Sequence, residues 1–167
     1  MNIEERLMSG NSDFRNGVNR NKLEELVKGQ HPYALVITCS DSRVIPEEIF
    51  SCSLGELFVI RTAGNVINEG ELASIEYGIE HLGIEYVLVL AHTHCGAVHA
   101  AIHNEKGIYL SPILDNIKRC IGDECDERQA SIKNALKQVE YLKGKFPEYQ
   151  GEIKAALYDI ETAEVIF

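Results

Sequence analysis

Residues Tyr86–His92 read YVLVLAH, and two similar stretches precede them: Ala34–Cys39 (ALVITC) and Leu57–Thr62 (LFVIRT). Each is a short, continuous run of apolar and β-branched residues without polar alternation. Continuous runs of this length are typical of strands that are buried on both faces of a parallel sheet. The three stretches therefore predict parallel strands at the centre of an α/β fold.

Helical patterns lie between and after these strands. The segment 69–82 carries an apolar face at helical spacing, and Gly83 follows in the C-cap position, so we predict a helix that connects two strands. Further helices are predicted over Ser111–Ile121 and Glu127–Lys143. The apolar face of the last helix is expected to consist of Ile132, Ala135, Leu136, Val139 and Leu142.

The remaining segments complete one domain. Two strands, Glu152–Tyr158 and Glu164–Phe167, are predicted to close the sheet, and no repeat or linker divides the chain. We therefore predict a single α/β domain over residues 1–167, with a mainly parallel sheet of four to five strands flanked by helices. Residues 1–30 are polar and lack a self-sufficient apolar face, which predicts a helical arm that packs on a partner subunit.

Composition excludes several classes of function. The chain of 167 residues carries 16 basic and 26 acidic side chains, a net charge of −10, so nucleic acid and anionic membranes are poor partners. No apolar run approaches the roughly 18 residues of a membrane span. The polar N-terminal sequence MNIEERLMSG does not resemble a signal peptide, so we expect a cytoplasmic protein with reduced thiols. Metal binding or catalysis then explains its five cysteines better than disulfides do.

Chemically unusual residues follow three predicted strands. The first strand runs into Cys39-Ser40-Asp41-Ser42-Arg43, the second into Arg61-Thr62-Ala63-Gly64-Asn65, and the third into His92-Thr93-His94-Cys95-Gly96. Ligands of open parallel sheets bind beyond the carboxyl ends of the strands. The pattern therefore predicts that thiols and an imidazole meet at one edge of the sheet.

A zinc site is the leading interpretation of Cys39, His92 and Cys95. Zinc favours thiolate and imidazole ligands, and a catalytic zinc takes three protein ligands and leaves its fourth position open. The alternative is that the cysteines are buried as small apolar side chains, which is common. Of the other cysteines, Cys52 stands alone, and Cys120 and Cys125 flank an acidic turn. The helical pair His99 and His103 has the spacing of a helix face near the surface.

Asp41 and Arg43 form a second candidate pair just after the first strand. The carboxylate can bond to Arg43 and accept a proton from a metal-bound water, or it can swing onto the metal as a fourth ligand. Arg43 favours the first state because it stabilises the ionised carboxylate. The alternative is an ordinary surface salt bridge in a turn.

Taken together, these motifs resemble the β class of carbonic anhydrases. The resemblance rests on Cys39-Ser40-Asp41-Ser42-Arg43-Val44, Arg61-Thr62-Ala63-Gly64-Asn65, Ser74-Ile75-Glu76-Tyr77 and His92-Thr93-His94-Cys95-Gly96, whose order and gaps match across residues 34–100. A weaker similarity covers residues 157–162, near the family's C-terminal strand pair.

The resemblance implies a function and a site. It implies one Zn²⁺ per subunit on Cys39, His92 and Cys95, an Asp41–Arg43 dyad, and reversible hydration of carbon dioxide to bicarbonate by zinc-bound hydroxide. Substrate contacts are expected at Gly96 and Ala97, the latter standing where the family usually has glycine. Obligate homodimers that can assemble into tetramers are also implied. Members that close the zinc with aspartate often carry tryptophan where this chain has Val36, so an open site is expected.

Three other functions remain compatible with the sequence. The same zinc site could hydrolyse another linear heterocumulene, such as carbon disulfide or carbonyl sulfide. The fold could also serve as a non-catalytic zinc-binding interaction protein, although Asp41 and Arg43 are both present. A thiol-dependent redox or sulfur-transfer enzyme would instead need a reactive cysteine without metal.

Overall fold

The computed structural model describes residues 1–167 and comprises two compact units, Met1–His31 and Pro32–Phe167. The first unit contains helices α1 (Ile3–Gly17) and α2 (Arg20–Leu26), as the sequence predicts. A capping box starts α1: the Asn2 side chain accepts a hydrogen bond from the Glu5 amide, and the Glu5 carboxylate accepts one from the Asn2 amide. Neither helix contains a buried residue.

The second unit is an α/β fold with five strands. Its strands are β1 (Ala34–Cys39), β2 (Leu57–Thr62), β3 (Tyr86–His92), β4 (Glu152–Asp159) and β5 (Glu164–Ile166). Its helices are α3 (Pro46–Ile49), α4 (Glu69–Glu76), α5 (Gly96–Ile102), α6 (Ser111–Ile121) and α7 (Glu127–Lys145), with a 3₁₀ turn over Ala63–Asn65 and a π turn over Tyr77–His81. None of the helices has the length and apolar character that crossing a membrane requires.

The sheet has the order β2-β1-β3-β4-β5. Strand β1 pairs in parallel with both β2 and β3, β3 pairs in parallel with β4, and only β5 is antiparallel. This arrangement confirms the predicted fold class. The bounds of the first three strands are those predicted from sequence, whereas β4 is one residue longer and β5 one residue shorter than expected.

Residues of the central strands alternate between two apolar clusters. Leu35 and Val89 pack with helices α4 and α7 on one face, whereas Val36 and Leu88 belong to a cluster on the other face. Both central strands, β1 and β3, are buried almost throughout. The prediction of burial on both faces is wrong for β2, where only Ile60 is buried, because β2 lies at the edge of the sheet.

Two helices differ from their predicted form. The segment predicted as one helix over 69–82 ends its α-helical part at Glu76 and continues as a π turn, in which Gly78 approaches Leu35 too closely for a Cβ atom. Helix α7 runs two residues further than predicted, and Leu136, expected on its buried face, is half exposed. Asn134 and Gln138 are buried on that helix instead.

Candidate metal centre

Three ligand-type side chains meet at the carboxyl edge of the sheet. Cys39 is the last residue of β1, His92 is the last residue of β3, and Cys95 is the N-cap of α5. Because β1 and β3 are neighbouring parallel strands, both end at the same edge. A turn of two residues after His92 then brings Cys95 back to that edge. All three side chains are buried.

The spacing of these groups suits a tetrahedral metal ion. Their ligand atoms lie within 4.8 Å of one another, and the Cys39 and Cys95 sulfur atoms are 4.0 Å apart. Two sulfur atoms on one tetrahedral zinc, each at about 2.3 Å, would be roughly 3.8 Å apart. Cys39, His92 and Cys95 form the only such cluster in the chain.

The His92 ring provides a second, independent sign of a metal site. Its Nδ1 lies 2.8 Å from the Thr93 carbonyl oxygen, which can only accept, so Nδ1 carries the proton and donates. The lone pair of Nε2 is therefore free, yet Nε2 is buried without a hydrogen-bond partner. A buried acceptor without a partner is costly. A zinc ion would satisfy it, so the residues present fit the metal that the resemblance implies.

The two thiols influence each other's ionisation. A hydrogen bond from the Cys95 thiol lowers the pKa of Cys39 to about 4, and the backbone near Asp41 and Gly64 supports the shift. The same bond and burial raise the pKa of Cys95. These opposite shifts favour ionisation of Cys39 before Cys95, and metal binding would displace the protons that remain on the ligand thiols.

The Asp41 carboxylate is fixed by Arg43. Nε and Nη2 of Arg43 donate to the two carboxylate oxygens over 2.9 and 2.7 Å, and the Arg43 backbone amide adds a third bond of 3.0 Å. These bonds hold the pKa of Asp41 well below its ordinary value. Arg43 also donates to the His94 carbonyl oxygen. Oδ2 of Asp41 remains 4.0 Å from Nε2 of His92, so the dyad borders the cluster.

Arg61 holds the turn that carries Cys39 and Asp41. Its Nε donates to the Cys39 carbonyl oxygen over 3.2 Å, and its Nη2 donates to the Asp41 carbonyl oxygen over 2.7 Å. Arg61 belongs to one of the sequence motifs, but no role was predicted for it. The pairing of Thr38 with Arg61 in the β1–β2 register explains why the guanidinium reaches this turn.

Gly96 and Ala97, the predicted substrate contacts, are the first two residues of α5 and directly follow Cys95. Backbone amides of Ala97 and Val98 form hydrogen bonds to the Cys95 sulfur that favour its ionised form. The first turn of α5 therefore faces the thiol cluster. Contact of Gly96 and Ala97 with a substrate stays a prediction.

The other singled-out residues lie outside the cluster. The Nδ1 atom of His99 bonds to Glu127 over 2.6 Å, and the His103 ring is 4.1 Å from the His99 ring. Both rings are exposed, as expected for a helix face near the surface. None of Cys52, Cys120 and Cys125 joins a metal cluster, and all are free thiols.

Known proteins share both the sequence pattern and the fold. The family model for carbonic anhydrase matches residues 34–165. A carbonic anhydrase of Synechococcus elongatus is 36% identical over 96% of this chain and 70% of its own length. A carbonic anhydrase of Synechocystis is 37% identical over 84% of this chain, but this match spans only 52% of that relative.

Solved structures agree with these matches. The β-carbonic anhydrase CcaA has a TM-score of 0.87 and 33% identity, with 98% of this chain and 94% of that chain covered. The β-carbonic anhydrase CafA of Aspergillus fumigatus gives a TM-score of 0.84 at 25% identity, covering 98% of this chain and 89% of its own. With the family match over most of its length, this chain belongs to the β-carbonic anhydrases, an enzyme family that catalyses the reversible hydration of carbon dioxide.

Proposed function

We propose that this protein hydrates carbon dioxide reversibly to bicarbonate and a proton at one zinc ion per subunit, held by Cys39, His92 and Cys95. The observation that carries the proposal is the buried, unpartnered Nε2 atom of His92, which lies in one cluster with two thiol sulfurs 4.0 Å apart. A bound zinc ion would lower the pKa of a water ligand to about 7 and so supply a nucleophile at neutral pH.

Asp41 orients the reacting water in this proposal. Its carboxylate is ionised at neutral pH, because Arg43 lowers its pKa, and it can only accept hydrogen bonds in that state. The bidentate Arg43 contact fixes the direction of its oxygen atoms and holds them away from the cluster. This geometry supports an open fourth metal position at neutral pH, as Val36 also suggests.

The backbone at the start of α5 provides the substrate contact. Gly96 is exposed and Ala97 is half-buried, so both are accessible beside the buried Cys95. We place carbon dioxide against this turn.

Metal content and activity of one preparation test the proposed function. The purified protein is expected to contain one zinc per subunit and to accelerate carbon dioxide hydration in stopped-flow measurements with a pH indicator. Chelation should abolish the rate, and added zinc should restore it. A fully zinc-loaded protein without hydration activity would contradict the proposal, as would activity that persists after the metal is removed.

We further propose an obligate homodimer, because no residue of α1 is buried. Its apolar side chains Ile3, Leu7 and Phe14 lie within about 40° of one another around the helix. Ile3 and Leu7 are 81% and 70% exposed, respectively. A helix of 15 residues without a single buried position needs another surface to cover this face. One of two tetrameric β-carbonic anhydrases described from Sordaria macrospora shares the fold, with a TM-score of 0.80 at 24% identity.

The double substitution Ile3→Ser/Leu7→Ser is expected to convert the dimer to monomers. Burial of each of these side chains contributes about 1.5–3 kcal/mol, so self-association should weaken by more than about 100-fold. Sedimentation velocity over a concentration series measures this change. The control is Asn16→Ser, on the opposite face of the same helix. An active wild-type monomer at low concentration would contradict the proposal.

We also propose that the protein works in the cytoplasm. The proposed ligands Cys39 and Cys95 bind metal only as reduced thiolates, and their sulfur atoms are near enough for oxidation to compete with metal binding. A reducing compartment preserves both ligands.

A further inference from the structure

Two amide side chains are buried on α7 among apolar residues. Asn134 is fully buried and Gln138 is 2% exposed, while the neighbouring Ala135 and Val139 belong to the apolar core. Burying an amide without hydrogen bonds costs about 1–3 kcal/mol. The hydrogen-bond partners of Asn134 and Gln138 therefore explain why amide side chains occupy these buried positions.

Both amides hold the loop that follows β2. Nδ2 of Asn134 donates to the Gly64 carbonyl oxygen over 2.8 Å, and Oε1 of Gln138 accepts from the Ile67 amide over 3.2 Å. Gln138 Nε2 also donates to Oδ1 of Asn134 over 3.3 Å, which joins the two side chains. The loop over residues 64–67 is thus tied to α7 at both of its ends.

Gly64 connects this network to a proposed metal ligand. Its amide donates a hydrogen bond of 3.3 Å to the Cys39 sulfur. Gly64 adopts a left-handed conformation, with φ of 64°, and a Cβ atom there would lie 2.7 Å from Cδ1 of Ile117. The carbonyl that Asn134 holds and the amide that faces Cys39 flank the same Cα atom, so anchoring one restricts the direction of the other.

We propose that Asn134 is a positioning residue for the metal centre, acting through Gly64 to aim an amide hydrogen at the Cys39 sulfur. Hydrogen bonds to ligand atoms orient them and adjust how much charge they give to the metal, and removing such bonds typically lowers metal affinity or activity 10- to 100-fold. The amide holds the loop before any metal binds, so the Cys39 sulfur meets the ion in a fixed direction. This role rests on the metal site proposed above.

The substitution Asn134→Leu tests the proposal because it keeps the size of the side chain but removes its hydrogen bonds. Zinc affinity, measured by competition with a chromophoric chelator, is expected to fall by about 10- to 100-fold. In the cobalt(II)-substituted protein, the sulfur-to-cobalt charge-transfer band is expected to shift. The control is Ser131→Ala, buried on the same helix, whose hydroxyl bonds only to the Glu127 carbonyl oxygen.

A purely structural role for Asn134 predicts a different result. Thermal unfolding of the metal-free protein would then occur at lower temperature, while zinc affinity and the cobalt band of Asn134→Leu would match those of the wild type. That outcome would overturn the proposal. If the leucine variant does not fold, Asn134→Asp replaces it in the same measurements. This substitution keeps the shape of the side chain and the acceptor for Gln138 but loses the donor to Gly64.

A measurement on the unaltered protein tests the Gly64 link directly. In the cadmium-113 form, a scalar coupling between the Gly64 amide proton and the metal is expected across the hydrogen bond to sulfur, and Asn134→Asp should weaken it. A wild-type cadmium protein without this coupling would overturn the proposal. Failure of the wild type to bind zinc or cadmium at all would instead contradict the proposed function, so the two failures are distinguishable.

Discussion

Replacing Cys39 with Ser, His92 with Ala or Cys95 with Ser is expected to remove most of the bound zinc and to lower the hydration rate by more than about 100-fold. Loss of a residue that merely orients a ligand costs 10- to 100-fold, so loss of a ligand should exceed the upper end of that range. Asp41 borders the cluster, but Arg43 holds both of its carboxylate oxygens, and no fourth His, Cys, Asp or Glu belongs to the cluster. Zinc content by atomic absorption and stopped-flow hydration rates measure both effects.

The chain contains a matched control for the cysteine substitutions. Cys125 is exposed and joins no metal cluster, so Cys125→Ser changes the same functional group without touching the site. Its zinc content and hydration rate should equal those of the wild type. Full zinc occupancy after the removal of two of the three proposed ligands would disprove the ligand assignment.

Arg43→Ala and Asp41→Ala are expected to lose hydration activity by about 10- to 100-fold while both retain zinc. The reasons differ between the two variants. Without the guanidinium, the Asp41 carboxylate keeps only its hydrogen bond from the backbone amide of residue 43, so the carboxylate is free to rotate. Oδ2 lies 4.0 Å from Nε2 of His92, whereas ligand atoms at about 2.0 Å from one tetrahedral zinc lie roughly 3.3 Å apart. A small movement therefore lets Asp41 close the site in Arg43→Ala.

Anion binding separates the two variants. Azide or thiocyanate should still bind the metal in Asp41→Ala, whose fourth position stays open, and should bind poorly in Arg43→Ala. Titration of the cobalt(II) proteins with each anion measures the difference through the visible spectrum. Equal anion affinity in the two variants would show that Arg43 does not control access and that the dyad only stabilises the turn. A wild-type crystal grown at pH 7 with Asp41 on the zinc would contradict the open site.

Much of the fold could be predicted from sequence because its strands carry strong local signals. Ala34–Cys39 and Tyr86–His92 are continuous apolar runs, and both proved to be strands with the predicted bounds. The grouping of Cys39, His92 and Cys95 was also accessible from sequence, since parallel strands end at one edge and the chain places these residues at or just after strand ends. The contact of Asp41 with Arg43 was also predicted, because the two residues stand close together just after β1, but its bidentate form is seen only in the structure.

Other features depend on neighbours that are distant in sequence. The position of β2 at the sheet edge, which leaves most of the strand only partly buried, is set by the strand order and not by the composition of Leu57–Thr62. From sequence alone, Arg61 looks like an ordinary exposed strand residue, and its role appears only in its contacts with the Cys39–Asp41 turn. No local pattern distinguishes a guanidinium that holds a turn from one that is solvated.

Local sequence patterns were enough to predict most element types, the three parallel strands β1, β2 and β3, and the meeting of Cys39, His92 and Cys95 in one cluster, because these depend on short-range polarity and on chemical identity. Contacts between distant segments, in contrast, leave Leu136 half exposed, bury Asn134 and Gln138, and leave a ring nitrogen of His92 without a partner. An amide on a helix is normally solvated, and its burial becomes favourable only when backbone groups from another segment meet its hydrogen bonds. Here those groups come from Gly64 and Ile67, about 70 residues away in the chain, so only folding brings them together.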